Sequence, residues 1–130
     1  MVYYRKTVTE AFQILSSQGQ TPYVVLGDFL DDFYTAEQVE RLRMIKDPLP
    51  KTIDNKEIWK WAVYFVAAID LLCYQFEIPS PEWVRDPIYN LDHPWFLFEG
   101  WRLRAWELVK TPVPFKMRNI FTGDKVLIRV

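Results

Sequence analysis

Apolar residues recur at helical spacing near the start of the chain. The i, i+3, i+4, i+7 pattern is formed by Val8, Ala11, Phe12 and Leu15. The preceding segment, from Thr7 to Glu10, has the form of a capping box, in which each side chain can bond the backbone of the other. These signals predict a helix that ends near Gly19. A second helix is predicted after Thr21-Pro22, with Thr21 as N-cap and Pro22 in the first turn.

The middle of the chain predicts a short helix followed by a long one. The capping pattern recurs from Thr35 to Gln38 and predicts a helix to about Lys46, which the segment Asp47-Pro48-Leu49-Pro50 ends. The longest helix is predicted to begin at residues 54–57 and to run to about Phe76. Asp54 is its predicted N-cap. Because its apolar arc is unusually wide, this helix is expected at the centre of the domain.

The last third of the chain changes character. Residues 78–94 contain four prolines among Trp and Tyr residues, which predicts an irregular loop held by aromatic packing, with one helical turn from Ser80. Residues 100–110 again predict a helix. For residues 119–130 two conformations stay open: a hairpin around Gly123-Asp124, or a short helix after Thr122.

Together these elements predict an all-α fold: a single domain, residues 1–130, with five or six helices and a Pro/Trp-rich loop. The high aromatic content, 17% of 130 residues, excludes a disordered chain. Cys73 is the only cysteine, so an intrachain disulfide is impossible. The first residues lack the apolar core of a signal peptide, and charged residues interrupt the longest apolar stretch. We therefore expect a cytoplasmic protein that does not span a membrane.

Charge is distributed unevenly along the chain. Residues 1–99 hold nine basic and fifteen acidic side chains, whereas residues 100–130 hold seven basic and two acidic ones. The basic residues alternate with aromatic ones and are Arg102, Arg104, Lys110, Lys116, Arg118, Lys125 and Arg129. Such a mixture is typical of protein interfaces and of grooves for single-stranded nucleic acid. It could equally pair with acidic groups of the same chain, including Asp28, Asp31 and Asp32.

From this segment and the aromatic residues just before it we predict a partner-binding set, and from the caps and helical wheels a structural polar set of Asp70, Arg102 and Asp54. The partner-binding residues are Arg104, Arg118, Lys110, Lys116, Trp95, Phe96 and Trp101, with Arg104 the preferred polar contact and Arg118 the second. On a helical wheel Arg102 falls inside an apolar arc, and so does Asp70 on the long helix. Since buried charges are normally paired, each is expected to find an opposite charge or full hydrogen bonding, and the two could meet. Arg102 stacked on Trp106 is the alternative.

Candidates for catalysis or metal binding are weak. His93 could act as a general base, but one sequence does not place a partner for it. Cys73 lies on the apolar arc of the long helix, where thiols are usually inert. Asp28, Asp31 and Asp32 share one helix face and could hold a cation, although a solvated acidic face explains them as well. No phosphate-binding loop is present. We therefore predict no catalytic residues, cofactor or metal.

Three segments together resemble a family of small, uncharacterised helical proteins of bacteria and archaea: residues 27–34, 83–96 and 103–121. The family shows an early FLDDF segment, a late PWF segment and a TPxPFxxRNIF segment. The matching late residues here are Pro94, Trp95, Phe96, Thr111, Pro112, Pro114, Phe115, Arg118, Asn119, Ile120 and Phe121. Its members are often encoded beside a nucleotidyltransferase-like protein, in an arrangement like a toxin–antitoxin pair. The resemblance implies an antitoxin-like or accessory role.

The leading functional hypothesis is a non-enzymatic protein that binds a protein partner. A nucleic-acid-binding regulator that uses residues 100–130 is the alternative, and an enzyme with His93 as base ranks last. A steep loss of affinity with salt would indicate nucleic acid. A concave pocket containing His93 and a carboxylate would indicate an enzyme.

Overall fold

A computed structural model describes residues 3–98 and 100–124 of the chain. These residues form six α-helices and one small parallel sheet, so the predicted all-α class is confirmed. The helices are α1 Val8–Gln18, α2 Pro22–Thr35, α3 Gln38–Met44, α4 Lys56–Gln75, α5 Arg104–Lys110 and α6 Val113–Lys116. The strands are β1 Trp95–Phe96 and β2 Ile120–Phe121.

The start and end of α1 follow the sequence signals. The Glu10 amide donates to Thr7 Oγ1 at 3.1 Å, and the Thr7 amide donates to Glu10 Oε1 at 2.9 Å, which completes the capping box. Gly19, with φ at 66°, ends the helix in the left-handed conformation. Pro22 then occupies the first turn of α2, as predicted.

α3 begins later than predicted. Its N-cap is Glu37, and Thr35 is the last residue of α2. The Thr35 hydroxyl donates to the carbonyls of Asp31 and Asp32, each at 3.2 Å, within its own helix. The prediction of a capping box at Thr35 was therefore wrong, because this hydroxyl bonds back to the preceding turn.

α4 forms the centre of the core, as its wide apolar arc predicted. All residues from 62 to 69 are buried, so the helix is covered on every side over two turns. Aromatic edges join it to its neighbours: Phe65 meets Phe12 of α1 at a centroid distance of 5.7 Å, and Tyr64 meets Phe115 of α6 at 5.0 Å. The first and the last helix of the described chain are thus held by the same element.

The N-cap of α4 is Asn55 and not Asp54, which corrects the prediction. Asn55 Oδ1 accepts hydrogen bonds from the amides of Glu57 at 3.0 Å and Ile58 at 3.2 Å. Asp54 is exposed, one residue before the cap. The two positions are adjacent and both residue types cap well, so only the backbone geometry distinguishes them.

Aromatic side chains anchor the Pro/Trp-rich loop, as predicted. Glu82–Arg85 form a single 3-10 turn. Trp83 Nε1 donates to the Ile45 carbonyl at 3.0 Å, and the Tyr89 hydroxyl donates to the Leu49 carbonyl. Both carbonyls belong to the segment between α3 and α4, so the loop closes over the chain that precedes the central helix.

The loop ends in a strand that the sequence did not predict. β1 pairs in parallel with β2, with Trp95 opposite Ile120 and Phe96 opposite Phe121. Asn119 enters β2 in the left-handed conformation, with φ at 65°, and its Nδ2 donates to the Leu91 carbonyl at 2.7 Å. The two conformations considered for the end of the chain both require residues 125–130, which lie outside the described residues.

Candidate protein-interaction surface

α5 presents its apolar side chains to solvent, against the expectation for a surface helix. Val109 is 69% exposed and Leu108 is 48% exposed, whereas the one buried residue of the helix is Glu107. Trp101, in the 3-10 turn before the helix, is 81% exposed. The wheel analysis placed the apolar arc of this helix toward the core, and the structure reverses that orientation.

Hydrogen bonds connect α5 to the rest of the chain in this orientation, while Glu107 Oε1 is buried without a hydrogen-bond partner among the described residues. Glu107 Oε2 accepts a bond from the Phe98 amide at 3.3 Å, and the Glu107 carbonyl accepts one from the Thr111 hydroxyl. Thr111 Oγ1 in turn accepts from the amides of Thr122 at 2.9 Å and Gly123 at 2.8 Å. These hydrogen bonds connect α5 to Phe98 before the helix and to Thr122 and Gly123 after it. The apolar side of the helix then faces solvent.

Trp106 and Gly123 fix the same orientation by close packing. A Cβ atom placed on Gly123 would lie 2.0 Å from Trp106 Cη2, and Gly123 has a φ of 77°. Only glycine therefore allows the indole to lie against this backbone. Trp106 is half-buried here, while the opposite face of α5 stays open.

The exposed apolar face continues beyond α5. Lys116 Nζ donates to the Val109 carbonyl at 3.1 Å, so α6 lies against the end of α5. Val113 and Met117, one helical turn apart, are both exposed. We call this region the 101–117 surface; its exposed large apolar residues are Trp101, Leu103, Leu108, Val109, Val113 and Met117.

Basic groups accompany this surface. Arg102, Arg104 and Lys110 are exposed, and Lys116 is half-buried. The Arg104 guanidinium lies over the ring of Phe96 at 3.9 Å from its centroid, and that ring stacks on Phe121 at 4.8 Å. The Arg104 side chain is thus held in place by a cation–π contact while it stays accessible.

Arg118 is not part of the exposed set, which corrects its assignment as a surface contact. Its side chain is 4% exposed, and Nη1 lies 3.1 Å from Oδ2 of Asp70, which is 22% exposed. The same guanidinium donates to the carbonyls of Pro114 at 2.7 Å and Val84 at 2.8 Å. Burial lowers the pKa of Arg118, and the Asp70 carboxylate opposes that shift. Arg118 joins α4, α6 and the loop.

The predicted pairing of Asp70 with an opposite charge is confirmed, but its partner is Arg118 and not Arg102. Arg102 is exposed, and in the described part of the chain it has no carboxylate within ion-pair distance. The physical reason is that residues 101–103 form a 3-10 turn, so a wheel of α-helical period misplaces Arg102.

The three aromatic candidates differ in accessibility. Trp95 is half-buried, and its ring meets that of Trp61 edge-on at a centroid distance of 5.0 Å. Phe96 is also half-buried, between Arg104 and Phe121. Trp101 is therefore the one of the three that offers most of its surface to a partner.

Residues considered for catalysis have ordinary surroundings. His93 is exposed and lines a depression of about 220 Å³ together with Lys56, Lys60 and the carboxylate-bearing Asp92, so the combination of residues that the enzyme alternative requires is present. No described residue hydrogen-bonds the imidazole, so nothing orients it as a base. Burial raises the pKa of Cys73 to about 11, which leaves little thiolate near neutral pH.

The acidic face of α2 lies at the surface of the molecule. Asp32 accepts a hydrogen bond from the Tyr3 hydroxyl at 2.7 Å, and both Asp28 and Asp31 are exposed. Within residues 3–98 and 100–124, no group of three or more His, Cys, Asp or Glu side chains is arranged to hold a metal ion. The same part of the chain contains no helix with the length and apolarity that crossing a bilayer requires.

Comparison of the chain with protein-family models, with curated proteins and with solved structures gave no match. The resemblance to the small prokaryotic family therefore stays a prediction.

Sequence reasoning missed the buried carboxylate of Glu107. The available signal was its position as the single acid between residues 100 and 123.

Proposed function

We propose that this chain is a cytoplasmic, non-enzymatic protein-binding domain and that the 101–117 surface is its interface. The observation that carries the proposal is the orientation of α5, with Leu108 and Val109 outward and Glu107 inward. Apolar side chains that a fold turns toward water cost free energy, and a group of them on one surface commonly marks an interaction site.

The composition of the surface supports a protein partner. Trp and Arg are the residues that most often dominate the binding energy of interfaces, and both occur here in Trp101, Arg102 and Arg104. The Glu107 and Thr111 hydrogen bonds hold α5 in one orientation, so the surface is organised before binding. A preorganised surface loses less conformational entropy on association.

The sequence resemblance adds a candidate for the partner. In the family that this chain resembles, the neighbouring gene often encodes a nucleotidyltransferase-like protein. We therefore propose that the chain is the antitoxin-like or accessory member of such a two-protein system, with that neighbour as its partner.

Nucleic-acid binding is the second candidate, because Arg104 over Phe96 combines charge and aromatic ring as such proteins do. It ranks lower, since the rings available for stacking are few. Trp95 and Phe96 already pack against Trp61 and Phe121, and Arg118 is used internally.

Co-expression with the neighbouring gene product tests the proposal. The variant is Val113→Asp, and its matched control is Val39→Asp. These valines are 69% and 81% exposed, and each lies in the first turn of a helix, where Asp is favourable. The charge at Val113 should weaken capture of the partner by about tenfold or more, because a carboxylate would have to be buried among the apolar side chains of the interface.

The control variant should capture the partner as well as the wild-type chain does. Equal capture by both variants would move the interface away from the 101–117 surface. Absence of capture by the wild-type chain would reject this partner. Binding of a single-stranded oligonucleotide with a steep salt dependence would favour the second candidate.

A further inference from the structure

The 101–117 surface carries charge of one sign only, and this restricts what can cover it. Its charged side chains are Arg102, Arg104, Lys110 and Lys116, apart from Glu107, which is fully buried. In the described part of the chain, no carboxylate lies within ion-pair distance of Arg102 or Lys110. The positive charge around the apolar side chains is therefore left for a partner to complement.

A second copy of the chain fits this surface poorly. A two-fold symmetric contact places the same patch on both sides, so the cations of one copy, among them Arg104 and Lys110, would share the interface with those of the other. Like charges that approach across an interface are destabilising. The positive charge of the surface thus opposes two-fold dimerisation, which is the most frequent form of self-association.

The spacing of the apolar residues suits a helix. Val109 lies one turn after Ala105, and Met117 one turn after Val113. Side chains spaced in this way pack against the apolar stripe of an amphipathic helix. Carboxylates that flank such a stripe would meet the basic groups at the edge of the surface.

We infer that the 101–117 surface binds an acidic amphipathic helix of a different protein. The inference rests on the proposed protein-binding function and adds the chemical class of the partner. The apolar side chains supply the binding free energy, and Arg102, Arg104 and Lys110 select for carboxylates and set the orientation.

Two synthetic peptides test the charge selection with the full chain. Both have Leu at helical spacing, and the remaining positions are mainly Glu in one and mainly Lys in the other. Binding is reported by titration calorimetry and by intrinsic tryptophan fluorescence, to which the exposed Trp101 contributes together with five other tryptophans. We expect the Glu peptide to bind at least about tenfold more tightly than the Lys peptide, a difference of about 1.4 kcal/mol, and the preference to shrink as salt is added.

A variant of the chain with reversed charges provides a second test of charge selection. The double substitution Arg104→Glu with Lys110→Glu should invert the preference toward the Lys peptide. The control, Lys6→Glu with Lys46→Glu, changes the net charge equally at exposed sites outside the 101–117 surface and should retain the preference for the Glu peptide. Circular dichroism of each variant should match that of the wild-type chain.

The outcomes separate this inference from the proposed function. Equal affinity for both peptides, lost with Val113→Asp, would overturn the inference and leave a protein-binding surface without charge selection. Binding of neither peptide would overturn the inference, while capture of the neighbouring protein tests the function independently. A dimer of the chain in sedimentation that Val113→Asp dissociates would overturn it in favour of a second copy.

Discussion

Single residues decide where the central helix begins. The amide groups at the start of a helix lack partners within it, and Asn55 supplies one carbonyl oxygen to two of them. Asp54 has the same capping chemistry one position earlier, yet its side chain stays in solvent. Backbone conformation therefore decides which residue is the cap, because Asp54 and Asn55 have equivalent capping side chains in the sequence.

Replacing Asn55 by Ala should destabilise the protein by about 1 kcal/mol, because the amides of Glu57 and Ile58 lose their acceptor. Asp54→Ala should change stability by less than about 0.5 kcal/mol, as for other exposed sites. Urea unfolding of the two variants measures both effects. A larger loss in Asp54→Ala than in Asn55→Ala would contradict the assigned cap.

The Asp70–Arg118 pair should matter more than an exposed ion pair. Asp70→Ala removes the carboxylate beside a buried guanidinium, and we expect a loss of about 2–3 kcal/mol. The loss stays below that of a fully buried pair because Arg118 keeps the Val84 and Pro114 carbonyls as acceptors.

The control for this pair is Glu57→Ala, which breaks the exposed pair with Lys60 on the same helix. Its cost should be below about 1 kcal/mol. Denaturant unfolding of both variants gives the comparison. Similar losses in the two variants would show that burial of Arg118 adds nothing to the strength of its pair.

Among the elements, α5 shows best how polar contacts can override an apolar pattern. A helix of seven residues makes only two turns, so the free energy gained by burying its apolar side is small. The hydrogen bonds of Glu107 and Thr111 reach residues 98, 122 and 123, and these bonds fix the orientation instead. One consequence is that the stability of α5 depends on a threonine hydroxyl.

Thr111→Val should destabilise the protein by about 3 kcal/mol, because the buried amides of Thr122 and Gly123 both lose their acceptor while the side-chain volume is kept. The matched control is Thr35→Val, since the Thr35 hydroxyl is exposed and bonds only within its own helix. Thermal unfolding compares them. A Thr111→Val protein as stable as the control would mean that these amides find other partners.

The elements differ in how well the sequence predicts them. Helices α1, α2 and α4 were predicted because their apolar positions repeat over three or more turns and these side chains pack in the core. The parallel pairing of β1 with β2 was not predicted, because each strand has only two residues and the paired positions are 25 residues apart in the sequence. The place of Arg118 was missed for a similar reason, because its acceptors lie at Asp70, Val84 and Pro114.

At the scale of the whole molecule, Cys73 offers a probe of global unfolding. The thiol is 2% exposed in the central helix, and burial raises its pKa to about 11. We therefore expect almost no reaction with a thiol reagent at pH 8 until the protein unfolds. The rate of labelling should rise with denaturant as the population of unfolded chains rises.

Labelling of Cys73 in the Thr111→Val variant makes this expectation quantitative. If the molecule unfolds as one unit, the loss of about 3 kcal/mol should speed labelling by roughly a hundredfold. An unchanged rate would show that α4 opens locally while the contacts of α5 are retained, since Cys73 and Thr111 lie on different elements.

The outward face of α5 has a consequence for the life of the protein in a cell. If the 101–117 surface binds a partner as proposed, a newly synthesised chain displays Trp101, Val109 and Val113 until that partner covers them. Aggregation and proteolysis both act on uncovered apolar surface. If synthesis of the two proteins were unbalanced, the surplus of this chain would be degraded or would precipitate. Its abundance would then follow the supply of its partner more closely than the rate of its own translation.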